Sequence, residues 1–412
     1  MNNDDSTNTP DQTKRRLIKL IGTTALCGLF NIAPSRAKQA SPMKPTPITL
    51  FLCGDVMTGR GIDQILPHPS DPHLFEAFVS DARHYVELAE RANGPIKKPV
   101  DYAYIWGDTL AELQRVKPNA RIVNLETAVT TRGAAWNKSV NYRMQPKNVP
   151  CLTAADIDCC VLANNHILDW GYGGLSETLT VLDKAGLKHA GAGNNREQAQ
   201  APAIISLPGG GRVLVFAFGT ESSGIDPDWA ATAKQVGVNL LTDLSGETVA
   251  AIAGHIGKVK QPGDLVVASI HWGPNWGYDI PHEQRDFAHG LIDHAGVDIL
   301  HGHSSHHVKG IEVYKDRPIF YGCGDFINDY EGISGHESYR GDLGLMYFPR
   351  LDPATGKLTG LTMTPTQIRH LRVNRASRQD ARWLADTLNR EGDALGTRVA
   401  LGEDNRLELR WG

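Results

Sequence analysis

Residues 265–273, LVVASIHWG, carry an apolar run straight into His271, and residues 297–307, VDILHGHSSHH, repeat the pattern with a denser histidine cluster. Residues 318–325, PIFYGCGD, end a third run on Asp325. Short apolar runs that stop at a polar, glycine-rich turn read as buried strands of an α/β sheet. In open α/β sheets, ligands gather in the crevice beyond the carboxyl ends of the strands. Imidazole is the commonest metal-ligating side chain, and histidines at neighbouring strand ends converge on that crevice. A metal-dependent site follows as the expectation, against a background of scattered surface histidines.

The first half of the chain supplies matching strand ends. Ile48 to Cys53 runs into Gly54-Asp55, Arg121 to Asn124 into Leu125-Glu126, and Cys159 to Ala163 into Asn164-Asn165-His166 with Asp169 beyond. Each polar group follows a run that would bury it, and a buried carboxylate or imidazole needs a partner or a metal to offset its lost hydration. Between the runs lie helical patterns at Asp71 to Ala92, Asp101 to Val116, Leu175 to Ala185, Glu247 to Val259 and Glu283 to Ala295. Alternating strands and helices predict a largely parallel sheet covered on both faces. From Ile311 the pattern changes to short strands and tight turns. Leu343 to Arg350 and Leu358 to Val373 read as antiparallel strands, Arg378 to Arg390 as a helix, and Arg406 to Arg410 as an edge strand.

Composition excludes more than it assigns. The chain has 412 residues, ample for a large core, and a net charge of −4 with no basic stripe to suggest nucleic acid. Lys14-Arg15-Arg16 precedes an apolar run from Leu20 to Ala33, too short to span a bilayer but the right length for an export signal. The paired arginines and Ser35-Arg36-Ala37 fit a twin-arginine signal, with a retained N-terminal anchor as the second reading. Residues 1–39 are thus expected to be an export leader and 40–47 a proline-rich linker. The main domain is expected over 48–375, with 376–412 packed on it. Cys53, Cys151, Cys159, Cys160 and Cys323 read as buried apolar side chains, not as a disulfide framework.

In order along the chain, Gly54-Asp55-Val56-Met57, Asn124-Leu125-Glu126, Ala163-Asn164-Asn165-His166 with Asp169, His271-Trp272-Gly273 and Gly302-His303-Ser304-Ser305-His306 resemble the CapA family. These are bacterial capsule proteins associated with poly-γ-glutamate and related to calcineurin-like metallophosphoesterases. The resemblance implies a four-layered α/β sandwich with helices outside the sheets. It implies Asp55, Glu126, Asn165, His271, His303 and His306 as ligands of one or two manganese, iron or zinc ions, with Glu126 bridging. It also implies His166 as the catalytic histidine beside the substrate, oriented by Asp169. The implied substrate is a small phosphoester or an anionic polymer, and membrane capsule-synthesis proteins are the implied partners. Metal-assisted hydrolysis, a non-hydrolytic part in polymer synthesis or export, and proton abstraction from carbon all stay open.

The chain departs from the family pattern at Met57, where the wider superfamily has a histidine, at Ser305 in place of proline, and at Asp325 in place of asparagine. Asp325 is therefore a further candidate ligand or base. Arg60, after a glycine turn, is a candidate for an anionic substrate group. Trp272 and Tyr278 are candidates for a pocket wall, and residues 137–143 for a polar or basic one.

Overall fold

The computed structural model describes residues 46–208 and 210–412. The export leader, its arginine pair and nearly all of the linker lie outside the described residues. Those described belong to one compact unit. Among them, no helix is long and apolar enough to cross a membrane.

Two large sheets form the frame. The ten-stranded sheet is centred on Ile48–Val56, all of whose residues after Thr49 are buried. On one side it continues in parallel through Ala120–Leu125, Cys159–Val161 and Lys188–Ala190. On the other side the antiparallel strands Leu343–Leu351, Leu358–Ile368, Leu407–Trp411 and Thr397–Leu401 follow. The six-stranded sheet has Arg212–Gly219, Leu265–His271, Ile299–His303 and Arg317–Phe320 in parallel. Antiparallel edges close it, Ala203–Ser206 and Ile311–Tyr314. The second edge turns back through Lys315 and Asp316, both at positive φ, as a two-residue hairpin turn of this hand requires.

Strand alternation sends alternate side chains to opposite faces, and the apolar clusters follow that split. Leu50, Leu52 and Ile122 of the first sheet share a cluster with Val213, Val215 and Val267 of the second. Phe51, Cys53 and Val123 belong to a different cluster, together with Leu175, Leu179 and Leu182 of the helix Gly171–Lys184. Leu214, Phe216 and Val266 pack with residues of the helices Gly246–Gly257 and His282–Ala295. The fold is a mixed α/β architecture of multiple sheets. Among the described residues Cys53, Cys151, Cys159, Cys160 and Cys323 are free and buried, as their apolar settings predict.

Several expectations on elements need correction: the strand expected as an edge over Arg406 to Arg410 lies between Leu358–Ile368 and Thr397–Leu401, and the strand expected over Leu358 to Val373 stops at Ile368. The helix expected over Asp71 to Ala92 exists only as Arg83–Asn93. Upstream the chain folds back on itself, with Leu74 N–H donating to Ser80 and Ala82 N–H to Pro72. That bend delivers Glu76 to the buried Arg60. The helix expected over Asp101 to Val116 is broken at Gly107 (φ 46°), leaving Thr109–Val116. A Cβ at Gly107 would lie 2.0 Å from the Val373 carbonyl oxygen, so the break is a close backbone approach. The strand expected to end at Leu300 continues to His303.

Candidate metal centre

Strand register builds the site. His271 and His303 end neighbouring parallel strands as direct partners, and their Nδ1 atoms lie 2.7 Å apart. Asp55 ends the central strand of the other sheet, with Asn124 and Asp325 as its strand partners. Its Oδ1 accepts from Asn124 Nδ2 at 2.8 Å and its Oδ2 from the Ser304 N–H at 3.2 Å. Ser304 adopts φ 98°, a strained value that aims this N–H at the carboxylate.

Two groups of ligand atoms result. Asp55, His271 and His303 form one, and Asp55, His306 and Asp325 form the other, each within 4.8 Å. Both are buried and can hold a metal ion. Asp55 is their shared member. Glu126, expected as the bridge, lies 3.9 Å from both His166 Nε2 and His271 Nε2. Asn165 is half-buried, and its Oδ1 lies 3.1 Å from His271 Nε2. His306 Nδ1 is 2.8 Å from Asp325 Oδ1, whose other oxygen accepts from Asn328 at 2.7 Å.

The donor set suits a cation. Asp55, Glu126 and Asp325 are all nearly inaccessible to solvent. Among the described residues, only imidazoles stand within ion-pair range of Asp55 and Glu126. Burial, then the Asp325 charge, pushes Asp55 up to about 7. Burial, then Asp55, raises Glu126 well above the usual carboxylate range. Burial drives His271 and His303 far below the usual imidazole value, so both present neutral nitrogens. Neutral imidazoles beside carboxylates that repel one another are what a divalent cation stabilises.

Beneath the site, His301 shares a strand face with His303 but lies one residue pair deeper. Its Nε2 contacts the Cys53 carbonyl at 2.7 Å and its Nδ1 contacts Ser269 Oγ at 3.0 Å. Ser269 Oγ also touches His303 Nε2 at 2.8 Å, fixing that ring with Nδ1 toward Asp55. Met57 is buried, and its sulfur accepts from Tyr330 OH at 3.7 Å.

His166 stands on the other side of Glu126. Its Nδ1 lies 2.6 Å from Asp169 Oδ2, which also accepts the Tyr142 N–H at 2.6 Å. Burial brings His166 down to about 4 despite the Asp169 charge. The imidazole is therefore neutral with Nε2 directed at the ligand groups. Lys138 joins this pair, with Nζ donating to Asp169 Oδ1 at 2.9 Å and to the Asn165 carbonyl, and 3.3 Å from His166 Nδ1. The sequence marks this stretch only as a polar or basic wall, because nothing in spacing ties Lys138 to a strand end 28 residues later.

The remaining candidates divide. Arg60 is buried and fully engaged: Nε and Nη2 donate to Asp329 at 3.1 and 2.5 Å, and Nη1 donates to Glu76 at 2.9 Å. Trp272 belongs to the apolar cluster behind the six-stranded sheet, its Nε1 donating to the Tyr321 carbonyl at 2.9 Å. Tyr278 packs edge-on against His307, ring centroids 4.6 Å apart. A cavity of about 650 Å³ opens beside His306, lined also by Trp276, Asn328, Tyr330, His336 and Arg369.

A family model described as bacterial capsule synthesis protein PGA_cap matches residues 49–330. The chain is similar to a probable polyglutamine synthesis accessory protein of Mycobacterium tuberculosis, 47% identical over 367 residues spanning 89% of this chain and 96% of the relative. It is similar to capsule biosynthesis protein CapA of Bacillus anthracis, 26% identical over 302 residues, 71% of this chain and 64% of the relative. PGA biosynthesis protein CapA of Bacillus subtilis is 28% identical over 282 residues, 67% and 62% of the two chains. The chain belongs to the bacterial capsule synthesis PGA_cap family, within the metallophosphoesterase-like superfamily.

Proposed function

We propose that this protein is an exported, metal-dependent member of a capsule polyglutamate system that hydrolyses a phosphoester or an anionic polymer. The observation carrying the reading is the pair of buried ligand groups that share Asp55. In this reading Asp55, His271 and His303 hold one ion, with Asn165 and Glu126 beside them. His306 and Asp325 hold a second with Asp55. Mixed oxygen and imidazole donors favour manganese, iron or zinc. The two sheets with their three apolar clusters support the four-layered sandwich of metallophosphoesterases.

When bound, such a metal supplies polarisation of the substrate's oxygens and activation of water. The chain's own residues do the rest. Asp169 takes the hydrogen bond of the His166 Nδ1–H, which leaves Nε2 free to accept a proton or a hydrogen bond from the reacting group. Lys138 offsets the Asp169 charge and closes the substrate side. Trp276, Tyr330 and His336 wall the adjoining cavity, where the substrate would enter. Arg60 holds Asp329, four residues beyond Asp325, together with Glu76. The leader of residues 1–39 delivers the protein outside the cytoplasm, cleaved or kept as an anchor, to act beside membrane capsule-synthesis partners.

A second reading, a non-hydrolytic accessory in polymer synthesis, draws on the word "accessory" in the mycobacterial relative's name. Assay of the manganese-, iron- and zinc-loaded protein on phosphodiesters and on poly-γ-glutamate separates the two. The first reading predicts turnover that a chelator abolishes and that His166→Asn reduces without loss of metal. No turnover with any loaded metal would leave the accessory reading in its place.

A further inference from the structure

A row of arginines crosses the outer face of the C-terminal strands, beyond residue 330. On Leu407–Trp411, Leu407 and Leu409 point into the apolar cluster between the sheets, so Glu408 and Arg410 stand on the opposite, exposed face. The same alternation places Arg350 there beside Phe348, and Arg398 on the neighbouring edge strand. Strand pairing sets Arg350 against Gly360 and Arg398 against Arg410. A Cβ at Gly360 would lie 2.3 Å from Arg350 Nη2. The glycine thus lets the guanidinium lie across the middle strand.

A cavity of about 400 Å³ opens at this row, lined by Arg115, Arg350 and Arg406 and by the acids Asp404 and Glu408. Beside it, the buried Glu112 is clasped by three arginines. Arg406 donates from Nε and Nη2 at 2.9 and 3.0 Å, Arg115 from Nε and Nη2 at 3.1 and 2.8 Å, and Arg375 from Nη1 at 3.4 Å. Six arginines, with Arg398, face four acids, Glu112, Asp393, Asp404 and Glu408, on a chain whose net charge is −4. Among the described residues, the Arg350 and Arg410 side chains donate no hydrogen bond and form no ion pair. Thr49, on the cavity wall, lies on the strand that ends at Asp55, roughly 20 Å away at strand rise.

We propose that this face is a groove for a carboxylate-rich polymer, a polyglutamate chain, anchored by Arg350 and Arg410 at a distance from the metal groups. The identity of the polymer rests on the capsule reading above. The chemistry rests on the face itself, where arginines already hold one glutamate carboxylate, Glu112, in the fork geometry that guanidinium offers a carboxylate. Two unpaired guanidinium groups beside that clasp extend the same recognition to carboxylates from outside. A second position on the polymer, away from the reacting bond, would keep a long chain on the protein between events.

The test is titration of labelled poly-γ-glutamate into the full-length protein at low salt, read by fluorescence anisotropy. Wild type is expected to bind, and added salt to weaken binding. R350E/R410E is expected to bind about tenfold more weakly or worse, with unchanged melting temperature and metal content. R350K/R410K should keep part of the affinity. Asp55→Asn should bind as wild type does, so loss of turnover there bears on the hydrolase reading and not on the groove. Absence of binding by wild type, equal affinity in R350E/R410E, or binding to phosphatidylglycerol vesicles in place of the polymer would each overturn the proposal.

Discussion

Asp55 and Asp325 are register partners across a parallel pair of strands, Ile48–Val56 and Asp325–Ile327, which holds two buried carboxylates side by side. Strand pairing fixes their separation, so neither can relax away from the other's charge. Asp325 stands where the family usually has an amide, and Met57 where the superfamily usually has a histidine. On our reading the first substitution returns to the site a donor that the second removes.

That pairing predicts different outcomes at different ligands. His306→Ala should lower the bound metal to about one equivalent, because the Asp55, His271 and His303 group stays whole. Elemental analysis of the dialysed variant against wild type checks this, and retention of the wild-type stoichiometry would contradict it.

The pH dependence of the metal-free protein follows from the buried groups. Burial brings His166, His301 and His307 down to about 4 and holds His271 and His303 well below the ordinary imidazole range. Below about pH 6.5 the unfolded chain takes up these protons and the native state does not, so stability falls on acidification. Asp55 at about 7 and Glu126 above its ordinary range act the other way: the native state keeps protons that the unfolded state has lost. Within the site the lowered imidazoles govern below pH 6.5, and the raised carboxyls, joined by His306, which the Asp325 charge raises against its burial, govern above it. The melting temperature of chelated protein should therefore peak near neutrality and fall on both sides. Metal should remove the alkaline fall, and thermal scans with and without chelator read it.

Ser269→Ala should weaken metal binding about 10–100-fold while leaving the fold intact, because it removes the contact that orients His303. Competition with a chelating dye measures the change. An unaltered affinity would show that packing alone holds the ring.

Arg60→Met should destabilise the protein by about 3–5 kcal/mol, because it leaves Asp329 and Glu76 buried without their cation. Chemical denaturation checks this. A variant of wild-type stability that loses substrate affinity would instead return Arg60 to the anion-binding role its sequence position suggested.

Much of this arrangement is legible in the sequence, because apolar runs that stop at Asp55, Glu126, His271 and His303 mark strand ends, and strand ends of an α/β fold meet. What the runs do not encode is pairing between distant segments. Asp325–Ile327 has only three residues and joins a strand about 270 positions earlier, so its contact with Asp55 leaves no periodic trace. Lys138 reaches His166 and Asp169 from an irregular loop, where neither spacing nor alternation points. The helix expected from Asp71 failed for a related reason: Glu76 is drawn into a bend by a buried arginine, a tertiary demand that overrides local periodicity.

One carboxylate, Asp55, belongs to both ligand groups. Metal analysis of Asp55→Asn beside wild type, each grown and dialysed with manganese, iron or zinc, tests it most directly. Wild type is expected to hold two equivalents, and a variant that still melts cooperatively almost none. A folded Asp55→Asn protein with the full wild-type metal content would contradict it.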